Sequence, residues 1–107
     1  MTPPSARLRF TLVGAGARLG ARGLIAAGEG NLSLRLPNGR ILITPSGRRK
    51  DALEPEDLVV IALDPLAPDG PAERGSPGRP SSDLAIHRAV YAARPDVAAI
   101  VHAHVPA

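Results

Sequence analysis

The fold is decided by residues 80–107, PSSDLAIHRAVYAARPDVAAIVHAHVPA. Ser81 or Ser82 can cap a helix, which must end before Pro95 because a proline disfavours helical backbone in the preceding residue. One apolar stripe along this helix is predicted to face the core: Ile86, Ala89, Val90 and Ala93. Residues 97–104 follow as an apolar run, so the stretch predicts a helix that leads into a buried strand.

Two of the chain's three histidines, His102 and His104, lie on this strand. Residues two apart on a strand project from the same face, so both imidazoles can reach one metal ion. From the spacing alone, ordinary strand histidines with satisfied hydrogen bonds are an equal alternative. A catalytic metal site also needs about three protein ligands, and this pair supplies only part of that set.

Upstream of this stretch, residues 5–22 are predicted to form an amphipathic helix. Ser5 is its expected N-cap, and Gly23 stands where a helix would end. Its apolar residues recur at helical spacing: Leu8, Leu12, Ala15 and Leu19.

The middle of the chain has the pattern of a sheet. Residues 32–36 and 41–44 flank the turn Pro37-Asn38-Gly39, which predicts a β-hairpin. Residues 58–63, LVVIAL, are predicted as a buried strand, and residues 64–80 as a long surface loop rich in proline and glycine. A hairpin combined with helix-separated strands indicates an α/β or α+β sheet packed by helices.

The overall composition limits the class of protein. A chain of 107 residues with 44% apolar content suffices for one domain, residues 1–107, with a single core. The absence of cysteine fits a reducing cytoplasm and leaves His, Asp or Glu to hold any metal. No signal peptide or membrane span is predicted, because arginines interrupt the apolar residues near the start. A net charge of +3, with Arg48-Arg49-Lys50 as the only basic run, argues against nucleic acid as a partner.

Several turns carry small polar residues of the kind that hold an anion. Each offers backbone N–H groups and hydroxyl or amide side chains, and the last stands at a helix N-terminus, where the helix dipole favours negative charge. Taken singly, each is more simply explained as a plain turn or cap. The turns are Gly30-Asn31-Leu32-Ser33, Thr44-Pro45-Ser46-Gly47 and Pro80-Ser81-Ser82-Asp83.

Asp83 places a carboxylate at the start of the helix that leads to the histidine strand. It is a candidate general base or metal neighbour, although acidic residues are common in first turns because they suit the dipole. His87 lies one turn further along the same face, and a packing or orienting role is predicted for it. The alternative is that Asp83 and His87 complete a metal shell.

Taken in order, these motifs resemble the class II aldolase/adducin family, across residues 8–107. The resemblance implies a three-layer α/β/α sheet with flanking helices, here truncated after the His-x-His strand and so incomplete at the C-terminus. It implies a metal-dependent lyase that acts on a sugar phosphate or related hydroxy-carbonyl compound through a metal-stabilised enediolate, with zinc or another divalent metal as cofactor. It also implies a cytoplasmic homo-oligomer, a tetramer by resemblance, without a membrane or nucleic-acid partner.

The resemblance also implies site residues. His102 and His104 would bind the metal, and Asp83 stands where the family usually has a glutamate that serves as acid/base and, in the resting aldolase, as a metal ligand. The residues expected to hold the substrate phosphate are Asn31, Ser46, Gly47, Ser81 and Ser82.

The sequence departs from the family pattern at two points. Asp83 is one methylene shorter than glutamate, so its carboxylate falls about 1 Å short, and misplacements of that size cost about 100-fold in rate. The family's third histidine ligand lies downstream of the His-x-His strand, whereas His87 is the only other histidine here. Two alternatives to a lyase therefore stay open: a non-catalytic, adducin-like remnant, and a fragment that needs a second chain to complete its metal site.

Overall fold

The computed structural model describes residues 6–25, 29–67 and 78–104. Within these ranges the chain forms two α-helices and four strands. In chain order they are α1 (Ala6–Ala21), β1 (Asn31–Leu36), β2 (Arg40–Ile43), β3 (Val59–Ala62), α2 (Leu84–Ala93) and β4 (Ala99–His102). Short 3₁₀ turns lie between β1 and β2 and immediately before β3. The predicted N-cap, Ser5, and residues 68–77 of the predicted loop lie outside the described ranges.

The four strands form one antiparallel sheet in the order β3-β2-β1-β4. The predicted hairpin is confirmed as β1 and β2, with the Pro37–Gly39 turn between them. The strand predicted over residues 58–63 is confirmed as β3. The histidine strand is confirmed as β4, but it is shorter than predicted and ends at His102, so His104 lies just past it. The prediction that this strand is buried is wrong: none of its four residues is buried and Val101 is 55% exposed, because β4 lies at the edge of the sheet.

The two faces of β1 differ in chemistry, and each faces a different helix. Leu32 and Leu36 pack with Leu12 of α1 in the main apolar core. Asn31 and Ser33 project from the opposite face, where both hydrogen-bond to His87 of α2. The sheet therefore lies between α1 and α2, which confirms the three-layer α/β/α architecture.

Helix α1 matches its prediction closely, and two glycines explain its fit. The helix ends in a Schellman motif, in which Gly23 has a φ of 70° and the Leu24 N–H donates to Leu19 O at 2.9 Å. Gly16 faces the backbone of Lys50, where an added Cβ would lie only 2.2 Å from Lys50 O. A side chain at position 16 would therefore push α1 away from the segment it packs on.

Helix α2 ends before Pro95 as predicted, but its N-cap position is Asp83 and not Ser81 or Ser82, and the predicted buried face is wrong. The residues of the expected apolar stripe, Ile86, Ala89, Val90 and Ala93, are exposed, Ile86 by 54%. The side chains that α2 buries are His87 and Tyr91. The reason is that polar partners on β1 satisfy the imidazole and the phenol, and burial of hydrogen-bonded polar groups carries little penalty.

No helix within the described residues has both the length and the apolar character needed to cross a lipid bilayer.

Candidate active site

The three polar turns found in the sequence meet at one end of the sheet. Thr44 joins the first two, because its N–H donates to Leu32 O at 3.0 Å and its Oγ1 accepts from the Leu32 N–H at 3.2 Å. The third turn is fastened to the second by two backbone hydrogen bonds: the Ser81 N–H donates to Thr44 O, and the Ser46 N–H donates to Arg79 O. Strand pairing and these bonds together hold the turns in fixed positions.

A cavity of about 210 Å³ opens between these turns. Its lining includes all five residues predicted to hold phosphate, which are Asn31, Ser46, Gly47, Ser81 and Ser82. Asp83 and His104 line the same cavity. The geometry thus brings together residues that are up to 73 positions apart in the sequence, between Asn31 and His104.

Lys50 and Glu29 also line the cavity, and sequence reasoning did not single them out. Lys50 is buried, its Nζ donates to Arg48 O, and burial lowers its pKa. The sequence feature that could have indicated Lys50 is its position three residues after Gly47, within the run Arg48-Arg49-Lys50. A basic run is usually a solvated surface, so sequence alone did not show that one of its members turns inward.

Asp83 occupies the N-cap position of α2, yet its side chain does not cap the helix. Its Oδ2 instead accepts a hydrogen bond of 2.7 Å from Asn31 Nδ2 and lies 3.2 Å from His102 Nδ1. The Asp83 N–H donates to Ser81 Oγ at 3.2 Å, which fixes the backbone at this point. The carboxylate therefore faces β1 and β4, so an interaction with the dipole of α2 does not account for its orientation.

His102, the last residue of β4, and His104, just past it, lie side by side. Their ring centroids are 5.1 Å apart, and His102 is the cross-strand partner of Asn31. His102 Nδ1 is buried, and although it lies within ion-pair distance of Asp83, it has no hydrogen-bonded partner of suitable geometry in the described residues.

This arrangement suits part of a metal site. Metal-binding histidines usually direct their second ring nitrogen at a carboxylate, and Asp83 stands in that place for His102 Nδ1, leaving Nε2 for an ion. Within residues 6–25, 29–67 and 78–104, however, no three side chains of metal-binding type converge on a common point. The described residues supply two adjacent imidazole donors and a neighbouring carboxylate.

His87 is fully buried, and both of its ring nitrogens are engaged. Nδ1 lies 2.6 Å from Ser33 Oγ, and Nε2 contacts Asn31 Oδ1. Burial lowers the pKa of His87; the charge of His102 lowers it further, and the charge of Asp83 opposes this shift. The predicted orienting role agrees with these contacts, whereas the alternative of a metal shell formed with Asp83 is wrong because neither ring nitrogen is free to bind an ion.

Comparison with known proteins places this fold and site in a family. Residues 11–107 match the family described as class II aldolase and adducin N-terminal domain, and the chain belongs to this family.

Individual relatives agree with this assignment. Methylthioribulose-1-phosphate dehydratase of Methylococcus capsulatus is 38% identical over 96 residues, which are 90% of this chain and 44% of the relative. The structure of YgbL from Klebsiella pneumoniae superposes with a TM-score of 0.80 at 38% identity, over 97% of this chain and 47% of that one. L-fuculose-1-phosphate aldolase from Thermus thermophilus gives a TM-score of 0.69 at 40% identity, over 92% and 48% of the two chains. The chain thus spans less than half the length of each of these three proteins.

Proposed function

We propose that this chain forms the phosphate- and metal-binding part of a class II aldolase-type active site, in a lyase that acts on a sugar phosphate. The observation that carries the proposal is the single cavity lined by the five predicted phosphate residues, Asp83 and His104, with His102 against Asp83. The similarity to a dehydratase and to an aldolase, both named for sugar-phosphate substrates, supports the same chemistry.

The phosphate is proposed to bind at the N-terminus of α2. Ser81 and Ser82 precede this helix, whose dipole favours an anion at that end, and the Ser46-Gly47 turn faces them across the cavity. Gly47 has a φ of 73°, a backbone conformation that suits glycine and that is found in turns that bind anions. The amide of Asn31 borders the same cavity.

His102 and His104 are proposed to hold a divalent metal ion, zinc in the first instance. When bound, such an ion supplies Lewis-acid polarisation of the substrate carbonyl. Asp83 is proposed as the acid/base: its Oδ2 is engaged by Asn31 Nδ2, so Oδ1 is the atom that would exchange a proton with the substrate. The orientation of this carboxylate toward β4 brings acid/base and metal donors to one place.

The cellular context is proposed by family resemblance. We propose a homo-oligomer, a tetramer by that resemblance, in the cytoplasm; the absence of cysteine agrees with this compartment.

Zinc binding tests the metal assignment directly. We expect the purified chain to bind zinc at one ion per chain, and we expect a double variant, His102→Ala with His104→Ala, to lose it, because the two imidazole donors are gone. Titration against a chromogenic chelator measures the zinc stoichiometry of the unaltered chain and of the double variant. Asp96→Ala is the control, since this exposed carboxylate pairs with Arg94 at the other end of α2. Absence of zinc binding in the unaltered chain would favour a non-catalytic remnant.

A second experiment tests the phosphate assignment. Ser82→Ala should weaken the binding of L-fuculose 1-phosphate about tenfold, the worth of about one charge-assisted hydrogen bond. The binding of unphosphorylated L-fuculose should change little, and calorimetry measures both affinities. Thr11→Ala, which removes an exposed hydroxyl on α1, is the control. An equal loss for sugar and sugar phosphate would refute the assignment.

A further inference from the structure

A buried chain of hydrogen bonds runs behind the candidate active site. Starting from the site, Asn31 Nδ2 lies 2.7 Å from Asp83 Oδ2, and Asn31 Oδ1 contacts His87 Nε2. On the other side of the imidazole, Ser33 Oγ lies 2.6 Å from His87 Nδ1 and 2.7 Å from the Tyr91 hydroxyl. Asn31, Ser33, His87 and Tyr91 are all buried, so water does not complete these contacts.

The chemistry of the groups fixes the direction of every bond. A carboxylate only accepts, so the NH₂ group of Asn31 must face Asp83 and its Oδ1 must face His87. His87 Nε2 therefore carries the proton, and Nδ1, as the unprotonated nitrogen, accepts from the Ser33 hydroxyl. The oxygen of Ser33 then accepts from Tyr91. The Nε2-protonated tautomer of His87 therefore gives every hydrogen bond in the series one donor and one acceptor.

Two shifts in pKa agree with this assignment. Burial lowers the pKa of His87, which keeps the ring neutral, and burial raises the pKa of Tyr91, which keeps the phenol protonated as a donor. The groups that face this chain are Asp83 and His102 near the imidazole and Arg35 near the phenol, where the guanidinium lies 4.8 Å from the ring centroid.

The burial of Tyr91, at the far end of this series of hydrogen bonds, indicates whether the series can carry protons. Tyr91 is only 1% exposed, so a proton that reached its hydroxyl would have no path to solvent. The chain therefore serves orientation and does not conduct protons. Its fixed end is the packed interface between α2 and β1, and its directed end is the amide of Asn31 at the cavity.

We propose that His87 is a positioning residue: its Nε2–H fixes which way the Asn31 amide faces, and so holds the Asp83 carboxylate and the Asn31 donor in place at the cavity. The consequence for ligand binding rests on the proposed function, whereas the tautomer and the amide orientation do not. Without this donor, the Asn31 amide could turn its oxygen toward the Asp83 carboxylate, which would repel it.

Two amide variants of His87 distinguish a positioning role of its Nε2–H from a role in packing alone. His87→Gln places an N–H donor at the reach of Nε2, whereas His87→Asn places its amide at the reach of Nδ1 and leaves Asn31 Oδ1 without a donor. Both lose the ring, and His87→Asn also leaves a larger gap at this buried position, so the unfolding midpoint of each variant is measured beside its affinity. With inorganic phosphate as the probe, we expect His87→Gln to bind within about threefold of the unaltered chain and His87→Asn to bind about tenfold more weakly, the worth of about one hydrogen bond.

Tyr91→Phe is the matched control for stability. It removes the last donor of the chain but leaves the Ser33, His87 and Asn31 bonds intact, so it should lower the unfolding midpoint without changing phosphate affinity. Equal weakening in the Gln and Asn variants, or weakening that follows the loss of stability across all three variants, would overturn the proposal.

Long-range ¹H–¹⁵N NMR of the imidazole gives a readout that does not depend on any ligand. We expect a neutral His87 with its proton on Nε2 at pH 7.5, and side-chain NH₂ signals of Asn31 that persist in His87→Gln and shift or broaden in His87→Asn. A proton on Nδ1, or a charged ring, would overturn the positioning role even if phosphate binds. If neither the unaltered chain nor any variant binds phosphate, and the His87 tautomer is as expected, the proposed function fails and the positioning role stands.

Discussion

At the scale of single residues, the orientation of Asp83 is the most informative feature. An aspartate at a helix N-cap usually accepts from the first backbone N–H groups of its helix. Here the carboxylate turns instead to Asn31 and His102, on two different strands. A side chain that gives up its capping bond for contacts in a cavity is better explained by the site than by the stability of the helix.

This orientation predicts an effect on metal binding. Asp83→Asn should lower zinc affinity by about 10- to 100-fold, because the carboxylate that faces His102 Nδ1 raises the basicity of a ligating imidazole and fixes its ring. Competition titration of zinc measures the change. Asp96→Asn, at the exposed end of α2, should leave the affinity unaltered. Equal affinity in Asp83→Asn and the unaltered chain would show that this carboxylate does not support a metal ligand.

The sequence predicts many site residues but not their connections. His102, His104, Asp83 and the serines of the turns stand out because their spacing and types are typical of metal and anion sites. Lys50 does not stand out, because a lysine within a basic run is usually exposed, whereas the fold buries this one. The pairing of Asn31 with His87, 56 residues apart, depends on strand order and helix placement, which local patterns do not contain.

At the scale of elements, α1 and α2 illustrate two outcomes. In α1 the apolar stripe faces the core as its periodicity indicates. In α2 the same reasoning selects the wrong face, because Ile86 and Val90 look more suitable for a core than His87 and Tyr91. The polar face is buried because β1 presents Asn31 and Ser33 opposite to it. Amphipathic periodicity cannot anticipate a sheet face that is itself polar.

The glycines of α1 give a stability prediction with an internal control. Gly16→Ala should destabilise the fold by about 1–3 kcal/mol, because the new methyl would overlap the Lys50 carbonyl. Gly14→Ala should instead stabilise it, by at most about 1 kcal/mol, since the nearest atom to its added Cβ is the flexible end of Arg18 at 3.3 Å and alanine favours helix. Urea unfolding measures both. Similar effects in the two variants would contradict the close packing of α1 on Lys50.

At the scale of the whole molecule, the site exists only because the sheet and the start of α2 meet. Asn31 comes from β1, Asp83 precedes α2, and His102 ends β4, so each contact in the site also joins two elements of the fold. The class of fold is predictable from the order of elements and the family motifs. The antiparallel order β3-β2-β1-β4 depends on pairings between distant segments, which the sequence analysis left open.

The burial of His87 predicts how stability depends on pH. Its pKa in the folded chain lies below the ordinary value of 6.5, so below that pH the unfolded chain binds a proton that the folded chain does not. The free energy of unfolding should therefore fall as pH drops below about 6.5, by up to about 1.4 kcal/mol per pH unit for this one group. His87→Gln should remove this part of the slope, and groups shared by both proteins cancel in the difference. Identical slopes in denaturant titrations at pH 5 to 7.5 would contradict a neutral, buried His87.

The imidazoles of His102 and His104 are proposed to bind a metal ion beside a cavity that binds phosphate. Diffraction at the zinc absorption edge, from crystals of the chain grown with zinc and phosphate, tests it most directly. We expect an anomalous peak at His102 and His104, and phosphate density against Ser82 and Gly47 in the same cavity. A zinc peak elsewhere on the chain, with that cavity free of phosphate, would contradict both the metal and the phosphate assignment.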